Sequence, residues 1–254
     1  FNPDIYIGNS HPCYRQKLPS YELRKNCKIV MGVCFNRYTP DRIEYLKNTN
    51  TDLIYFYGYE KDSKLYQHWI NIYPTMYNLI AGDSTKYFKG TNNKYDFGFV
   101  GGYAHKRFRL DELLLPILSN YSNYKIYGSN WPSNLQIIKL DNNNEAKFLS
   151  ECKILVCISE FQSIKYGIDI PERVYKAILS GALIIHDNVF EIEKIIPDIV
   201  IFNNCNELKE KIDYYLLNEN ERKEKANKQY NTVINNYTYF NVIDRMFTNL
   251  ECLE

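Results

Sequence analysis

The sequence predicts an α/β protein built from two parallel-sheet domains, the first of them truncated, and three observations carry that prediction. Short apolar runs alternate with helical stretches of about 10–15 residues, the spacing of right-handed βαβ units. Several runs, such as Ile29–Val33 and Ile154–Ile158, are apolar throughout, as in strands covered on both faces. A turn-rich stretch between Ile70 and Lys94, with Asp83-Ser84-Thr85 and Gly90-Thr91-Asn92-Asn93, separates two such series. The expected domains are residues 1–92 and 93–238, with 239–254 as a helix crossing back to the first.

The elements follow in order. Asp4–Ile7 reads as a strand ending at Gly8, before a polar loop with His11 and Pro12. Lys28–Val33 is the second strand, and Thr39-Pro40-Asp41 opens a helix with proline in its first turn. Leu53–Tyr57 is the third strand. In the second series, Phe97–Val100 is a strand running into Gly101-Gly102. Arg107–Leu118 reads as one helix, with Leu110, Leu113, Leu114 and Leu118 on its apolar stripe. Tyr124–Tyr127 is a strand stopped by Gly128, Glu145–Cys152 a helix and Ile154–Ile158 a strand. Pro171–Ser180 is a helix with Gly181 as its C-cap. Strands at Ala182–Ile185 and Ile199–Phe202 follow, then helices over 206–217, 219–235 and 240–250. The charge run from Glu219 to Lys228 is a solvated helical face with i,i+4 pairs.

Composition excludes several classes. At 254 residues the chain has room for one large or two modest domains, each with its own core. A hydrophobic share of 45% with 24% charged residues is globular rather than disordered. Lys and Arg number 31 against 30 Asp and Glu, so the basic excess of a dedicated nucleic-acid binder is missing. No apolar run approaches the roughly 20 residues that span a bilayer. The seven cysteines include no C-x-x-C pair, which points to reduced core thiols in a cytoplasmic protein rather than a zinc or disulfide framework. The chain begins at Phe1 and enters a strand almost at once, so a preceding portion of the same protein is expected. Tyrosine is abundant, at 24 residues; this fits an aromatic-lined surface or an AT-rich coding sequence.

Ligands of open α/β sheets sit beyond the carboxyl ends of the strands, which selects two loops. The first is Gly101-Gly102-Tyr103-Ala104-His105-Lys106-Arg107. Its glycines let backbone amides approach a phosphate, the following helix start favours negative charge, and Lys106, Arg107 and Arg109 add cations. It is neither G-x-G-x-x-G nor a P-loop, and it reads equally well as a tight turn before a basic helix start. The second loop leads through Tyr166 and Pro171 into Glu172-Arg173. A carboxylate there suits a ribose diol and a guanidinium suits a diphosphate, although simple helix capping reads the same way.

Three segments then occur in order: Tyr95–Tyr103, Lys125–Trp131 and Ile170–Asp187. Together they resemble the C-terminal domain of GT-B-fold glycosyltransferases, particularly the group-1, CgeB-like (spore maturation protein-like) branch. The resemblance covers about residues 95–240, including Tyr237-Thr238-Tyr239 before the last helix. The helix Pro171–Gly181 also resembles the donor-binding helix of α1,3-fucosyltransferases. The resemblance implies two Rossmann-like domains and a nucleotide-diphosphate-sugar donor held mostly by the second. Gly101, Gly102, Lys106, Arg107 and Arg173 would face the diphosphate, Glu172 the ribose, and Tyr127-Gly128 the base. One position departs from the group-1 pattern: Lys176 stands where many members carry glutamate.

The implied reaction is transfer to an acceptor hydroxyl, on a glycan, protein or small molecule, through an oxocarbenium-like transition state. No Asp-x-Asp occurs, so no metal and no cofactor is expected; basic side chains and a helix start would neutralise the leaving group. His11, in the loop after the first strand, is the candidate general base, although an ordinary loop histidine reads the same way. His186 is read as structural or near the donor sugar, and Asp41 as a helix cap. A fucosyltransferase-like enzyme using a GDP-sugar, or a degenerate sugar-nucleotide-binding module without catalysis, are the alternatives. The expected compartment is cytoplasmic, the host cytoplasm if the source is viral.

Overall fold

The structure is a computed structural model that describes residues 4–10, 25–33, 40–56, 67–77, 80–138, 144–161, 164, 170–189 and 192–252. The chain divides into two compact units: Phe1–Ile80 with Val242–Glu254, and Ala81–Asn241. The division falls after Ile80, inside the turn-rich stretch and earlier than residue 92. Five cysteines among the described residues are free thiols, three of them buried. No helix among those residues is long and apolar enough to cross a membrane.

The first unit holds a parallel four-stranded sheet in the order β1 (Ile5–Asn9), β2 (Lys28–Gly32), β3 (Leu53–Phe56), β4 (Thr75–Tyr77). Every residue of β3 is buried, as a central strand requires. Helix α1 (Pro40–Asn48) starts at its proline, carries Asp41 in its first turn and Lys47 in its last, and buries Leu46. Helix α2 (Gln67–Ile70) and β4 lie in stretches where no element is expected from sequence; they are too short to show a period.

The second unit is a six-stranded, wholly parallel sheet in the order β10-β9-β8-β5-β6-β7. The strands are β5 (Tyr95–Val100), β6 (Tyr124–Tyr127), β7 (Ile137–Ile138), β8 (Cys152–Cys157), β9 (Leu183–Asp187) and β10 (Val200–Phe202). The stretch expected as one helix over 107–118 is two, α3 (Arg107–Leu113) and α4 (Leu115–Leu118). Pro116 is the reason: it has no N–H for the helical ladder and its ring crowds the carbonyl one turn back. Phe97, Phe99, Leu110, Leu114, Ile126, Ile154, Val156 and Ile185 belong to one core cluster.

Helix α5 (Glu145–Glu151) precedes β8, and α6 (Glu172–Leu179) precedes β9. Helix α6 buries Val174, Tyr175, Ile178 and Leu179, and is closed by Gly181 at φ +84°, whose amide donates to the Ile178 carbonyl. After the short α7 (Ile192–Ile195) come α8 (Cys205–Leu217), α9 (Glu219–Asn236) and α10 (Tyr239–Glu251). Asn204 caps α8 by accepting from the Glu207 amide at 3.0 Å. Fully buried Gln229 of α9 works as a strand mimic: it accepts from the Ile184 amide and donates to the Ile184 and Asp198 carbonyls. The entry and exit of this unit are fastened together, because the Gly82 amide donates to the Tyr237 carbonyl and the Tyr239 amide to the Gly82 carbonyl.

Candidate functional site

The chain of the second unit starts at β5, runs outward to β6 and β7, then returns to the other side of β5 with β8. Strand order therefore reverses between β5 and β8, and the crevice beyond their carboxyl ends is where such sheets bind ligands. The loop after β5, the loop after β8, the end of β9 and the start of α6 reach that edge.

Glycine shapes the first loop. Gly101 has φ +152°, and its carbonyl accepts from Trp131 Nε1 at 2.8 Å. A Cβ on Gly128 would sit 2.0 Å from that same carbonyl oxygen, so the two turns meet backbone to backbone. Gly102 is under no such constraint, since a Cβ there meets the Ser129 hydroxyl at 3.4 Å. Tyr103 tilts against Trp131 at 5.2 Å and donates its hydroxyl to Asp111.

The loop then turns Lys106 inward. Its side chain is 5% exposed, and its Nζ donates to the Ile158 carbonyl at 2.8 Å. Arg173, in the first turn of α6, donates to the same carbonyl at 3.1 Å. Burial and the neighbouring guanidinium push the Lys106 ammonium down to about 7. Two cations thus converge on one neutral oxygen at the strand switch.

Beside them lies a compensated network. Asp187, at the end of β9, accepts from the Ser159 amide with both oxygens at 3.0 Å and from Arg109 at 2.6 Å. Burial alone would raise this carboxyl, but hydrogen bonds from His186, Ser159 and Arg109 outweigh it and hold it down at about 2. His186 is fully buried, with Nδ1 2.7 Å from the Asp187 carbonyl. Four buried polar atoms here, Ser159 Oγ, Arg109 Nε, Arg173 Nε and His186 Nε2, have no partner among the described residues. Buried polar groups are normally satisfied, so this concentration marks the edge as unusual.

The α6 start carries a second charge cluster. Lys176 Nζ lies 3.2 Å from Glu172 and 3.7 Å from Glu145, and the Tyr239 hydroxyl reaches Glu172 at 3.3 Å. Tyr87 donates to Glu145 at 2.7 Å; burial first, then that carboxylate, drive its phenol well above the usual range.

The structure therefore joins Lys106 with Arg173 and Gly101 with Gly128, and places Glu172 next to Arg173 with its carboxylate on Lys176. Arg107 lies apart, mostly exposed and paired with Asp111 at 3.6 Å. Tyr127 corrects the expectation of a base-facing aromatic. Its ring is 2% exposed and stacks on Phe148 of α5, because strand alternation turns it to the helix-covered face. His11 and Tyr166 lie outside the described residues. Ser159 and Asp187, to which the sequence assigns no role, join this edge through their hydrogen bonds. The sequence signal for Asp187 is its position: a carboxylate closing an apolar strand at the ligand-binding edge.

A family model described as glycosyl transferase-like matches residues 107–248, more than half of the chain. The chain belongs to the glycosyl transferase-like family. Solved GT-B glycosyltransferases share its fold. Sucrose-phosphate synthase from Thermosynechococcus elongatus aligns with TM-score 0.61 at 12% identity, over 92% of this chain and 71% of that one. The T4 phage β-glucosyltransferase BGT, in complex with its UDP-glucose substrate, aligns with TM-score 0.55 at 15% identity, over 84% and 72%. The same phage enzyme with UDP and Mn2+ aligns with TM-score 0.57 at 13% identity, over 97% and 82%. No curated protein sequence matches the chain.

Proposed function

We propose that this glycosyl transferase-like chain moves a hexosyl or deoxyhexosyl group from a nucleotide-diphosphate donor to an acceptor hydroxyl, without a metal. The observation that carries the reading is the convergence of Lys106 and Arg173 on the Ile158 carbonyl. A buried ammonium and a partly buried guanidinium on one neutral acceptor are electrostatically incomplete, and a diphosphate leaving group supplies the missing charge. The buried, partnerless Arg173 Nε and Ser159 Oγ beside them add donors without acceptors. Glu172, at the helix start, faces the ribose, and the amides after Gly101 approach the phosphates. His11 takes the acceptor proton if the reaction inverts. The three ordered motifs favour the group-1, CgeB-like branch.

The mechanism needs few parts. Lys106 and Arg173 stabilise the charge that builds on the departing diphosphate as the glycosidic bond lengthens. Asp187 acts at one remove: it fixes the Ser159 backbone and holds Arg109, keeping the floor of the site in place.

The test is a thermal-shift panel of UDP-, GDP- and dTDP-sugars at millimolar concentration, followed by turnover with the donor that binds. One donor class is expected to stabilise the protein, and Arg173→Ala to abolish both binding and turnover. No stabilisation by any donor overturns the proposal; donor binding that survives Arg173→Ala overturns the site. A GDP-sugar response selects the fucosyltransferase-like form. One observation favours a second reading, a binding module without catalysis: Lys176 occupies the Glu172 carboxylate at 3.2 Å. Tight donor binding with neither transfer nor donor hydrolysis would select it.

A further inference from the structure

A second polar cleft lies at the opposite edge of the same sheet. Its walls are the connector Lys89–Asn93, which leads into β5, and the first turns of α9, with Lys153 at the start of β8 and Gly181 ahead of β9. The connector and Gly181 precede strands and Lys153 is the second residue of β8, so the cleft opens at the amino ends of the sheet and is separate from the Lys106–Arg173 site. It encloses about 370 Å³.

Its charge is one-sided. Lys89, Lys153, Arg222 and Lys223 line it against a single carboxylate, Glu219. Lys153 is neutralised by Asp96 at 2.6 Å, and Lys223 by Glu219 at 2.6 Å. The second pair is more than half exposed on both sides, so it is weak and readily exchanged. Among the described residues Lys89 has no carboxylate partner: its ammonium bonds Asn227 at 3.0 Å and sits 3.9 Å above the Tyr230 ring. Arg222 is 6% exposed and spends one nitrogen on the Tyr215 carbonyl, while Glu219 stands 3.8 Å away. Burial holds the Arg222 guanidinium below its usual range, against the pull of Glu219 and Asp96. Arg222 shares the Glu219 carboxylate with Lys223, and that carboxylate is itself 58% exposed, so an incoming anion can replace it over the buried guanidinium.

The neutral lining suits an oxyanion bearing hydroxyls. Asn93 and Asn227 bring side-chain amides to the cations, and the Thr91 hydroxyl orients Asn93 by donating to its Oδ1 at 3.0 Å. Asn92 is held at φ +49° by donating to the Cys152 and Ser180 carbonyls, which fixes the connector before any ligand arrives. We infer that this amino-edge cleft binds a phosphate-bearing small molecule, with Lys89, Arg222 and Lys223 on the phosphate and the asparagine-rich connector on the remainder. The inference does not depend on the donor reading above, because no residue is shared between the two sites.

The experiment is an amide-resolved NMR titration of the full chain with inorganic phosphate and, separately, a hexose monophosphate, at constant ionic strength. Saturable shifts are expected at Gly90, Thr91, Asn93 and Gly181. The exposed double variant Lys89→Ala/Lys223→Ala should keep the wild-type unfolding midpoint and weaken binding about tenfold. Arg173→Ala should leave these shifts intact, which separates this site from the donor site. Tighter binding of the hexose phosphate identifies an organic phosphate as the ligand, and equal binding identifies the phosphate group alone; both support the inference. Absence of saturable shifts for both probes, shifts unchanged in the double variant, or shifts lost in Arg173→Ala would each overturn it.

Discussion

If Lys106 holds the donor diphosphate as proposed, donor affinity depends on pH with a defined sign. In the free protein its ammonium titrates at about 7, depressed from 10.5 by burial and by Arg173. At neutral pH roughly half of the molecules therefore carry the charge that a diphosphate needs. A dianion beside the ammonium raises its pKa, so binding above pH 7 must recruit a proton. Each pH unit above the free value then costs about 1.4 kcal/mol, a tenfold loss of affinity, until the pKa of the complex is reached. Below the free value the charge is already present and affinity is flat. The assay is calorimetric titration of the responding nucleotide sugar from about pH 6 to about pH 9, in buffers of differing ionisation enthalpy, to count protons taken up. Lys106→Met removes the titrating group while keeping most of the buried volume. It should bind weakly, take up no proton and show no slope. Wild-type affinity that does not fall across this range, or a slope that survives in Lys106→Met, would refute the assignment of Lys106 to the phosphates.

Three predictions concern the frame around the site. Asp187 titrates in the folded state at about 2 against 3.8 when unperturbed, so its stabilisation is present above about pH 4 and lost as pH falls through 2. Asp187→Asn should remove about 2 kcal/mol of acid-dependent stability, read by denaturant unfolding monitored at Trp131; an unchanged acid profile would count against it. Gly128→Ala forces a Cβ against the Gly101 carbonyl and should cost about 2–3 kcal/mol in the same assay, while Gly102→Ala is nearly neutral. Gln229→Leu strands the Ile184 amide and two carbonyls and should cost about 3 kcal/mol; a loss under about 1 kcal/mol would show that the helix-to-strand bonds are dispensable.

Much of this architecture could be read before any coordinates, for reasons that differ by element. Strands β5, β6, β8 and β9 stand out because parallel strands buried on both faces are largely apolar runs, and a glycine follows β5 and β6 and precedes β9. Strands β4 and β7 were hidden, since three and two residues carry no period. The Arg107–Leu118 break was visible in Pro116 but outvoted by the leucine stripe. In the site, Lys106 and Arg173 were legible as cations near strand ends. Their meeting on the Ile158 carbonyl was not, because it depends on the register of β5 against β8. Tyr127 shows the same limit: composition marks a tyrosine at a strand end, and only the pleat decides which face receives its ring.

The Gly82 clasp has a consequence for how this chain can be handled and how it can have arisen. The backbone leaves the first unit at Ile80 and rejoins it at Val242, and at the margin of the second unit those two passages are tied by paired amides at Gly82, Tyr237 and Tyr239. In connectivity the second unit is a cassette spliced into the first, with its two splice points side by side. Cassettes of this geometry tolerate circular permutation, because a short peptide can join ends that already touch. Residues 81–241 could therefore be closed on themselves and reopened at a loop away from the carboxyl edge, with the Lys106–Arg173 meeting point intact.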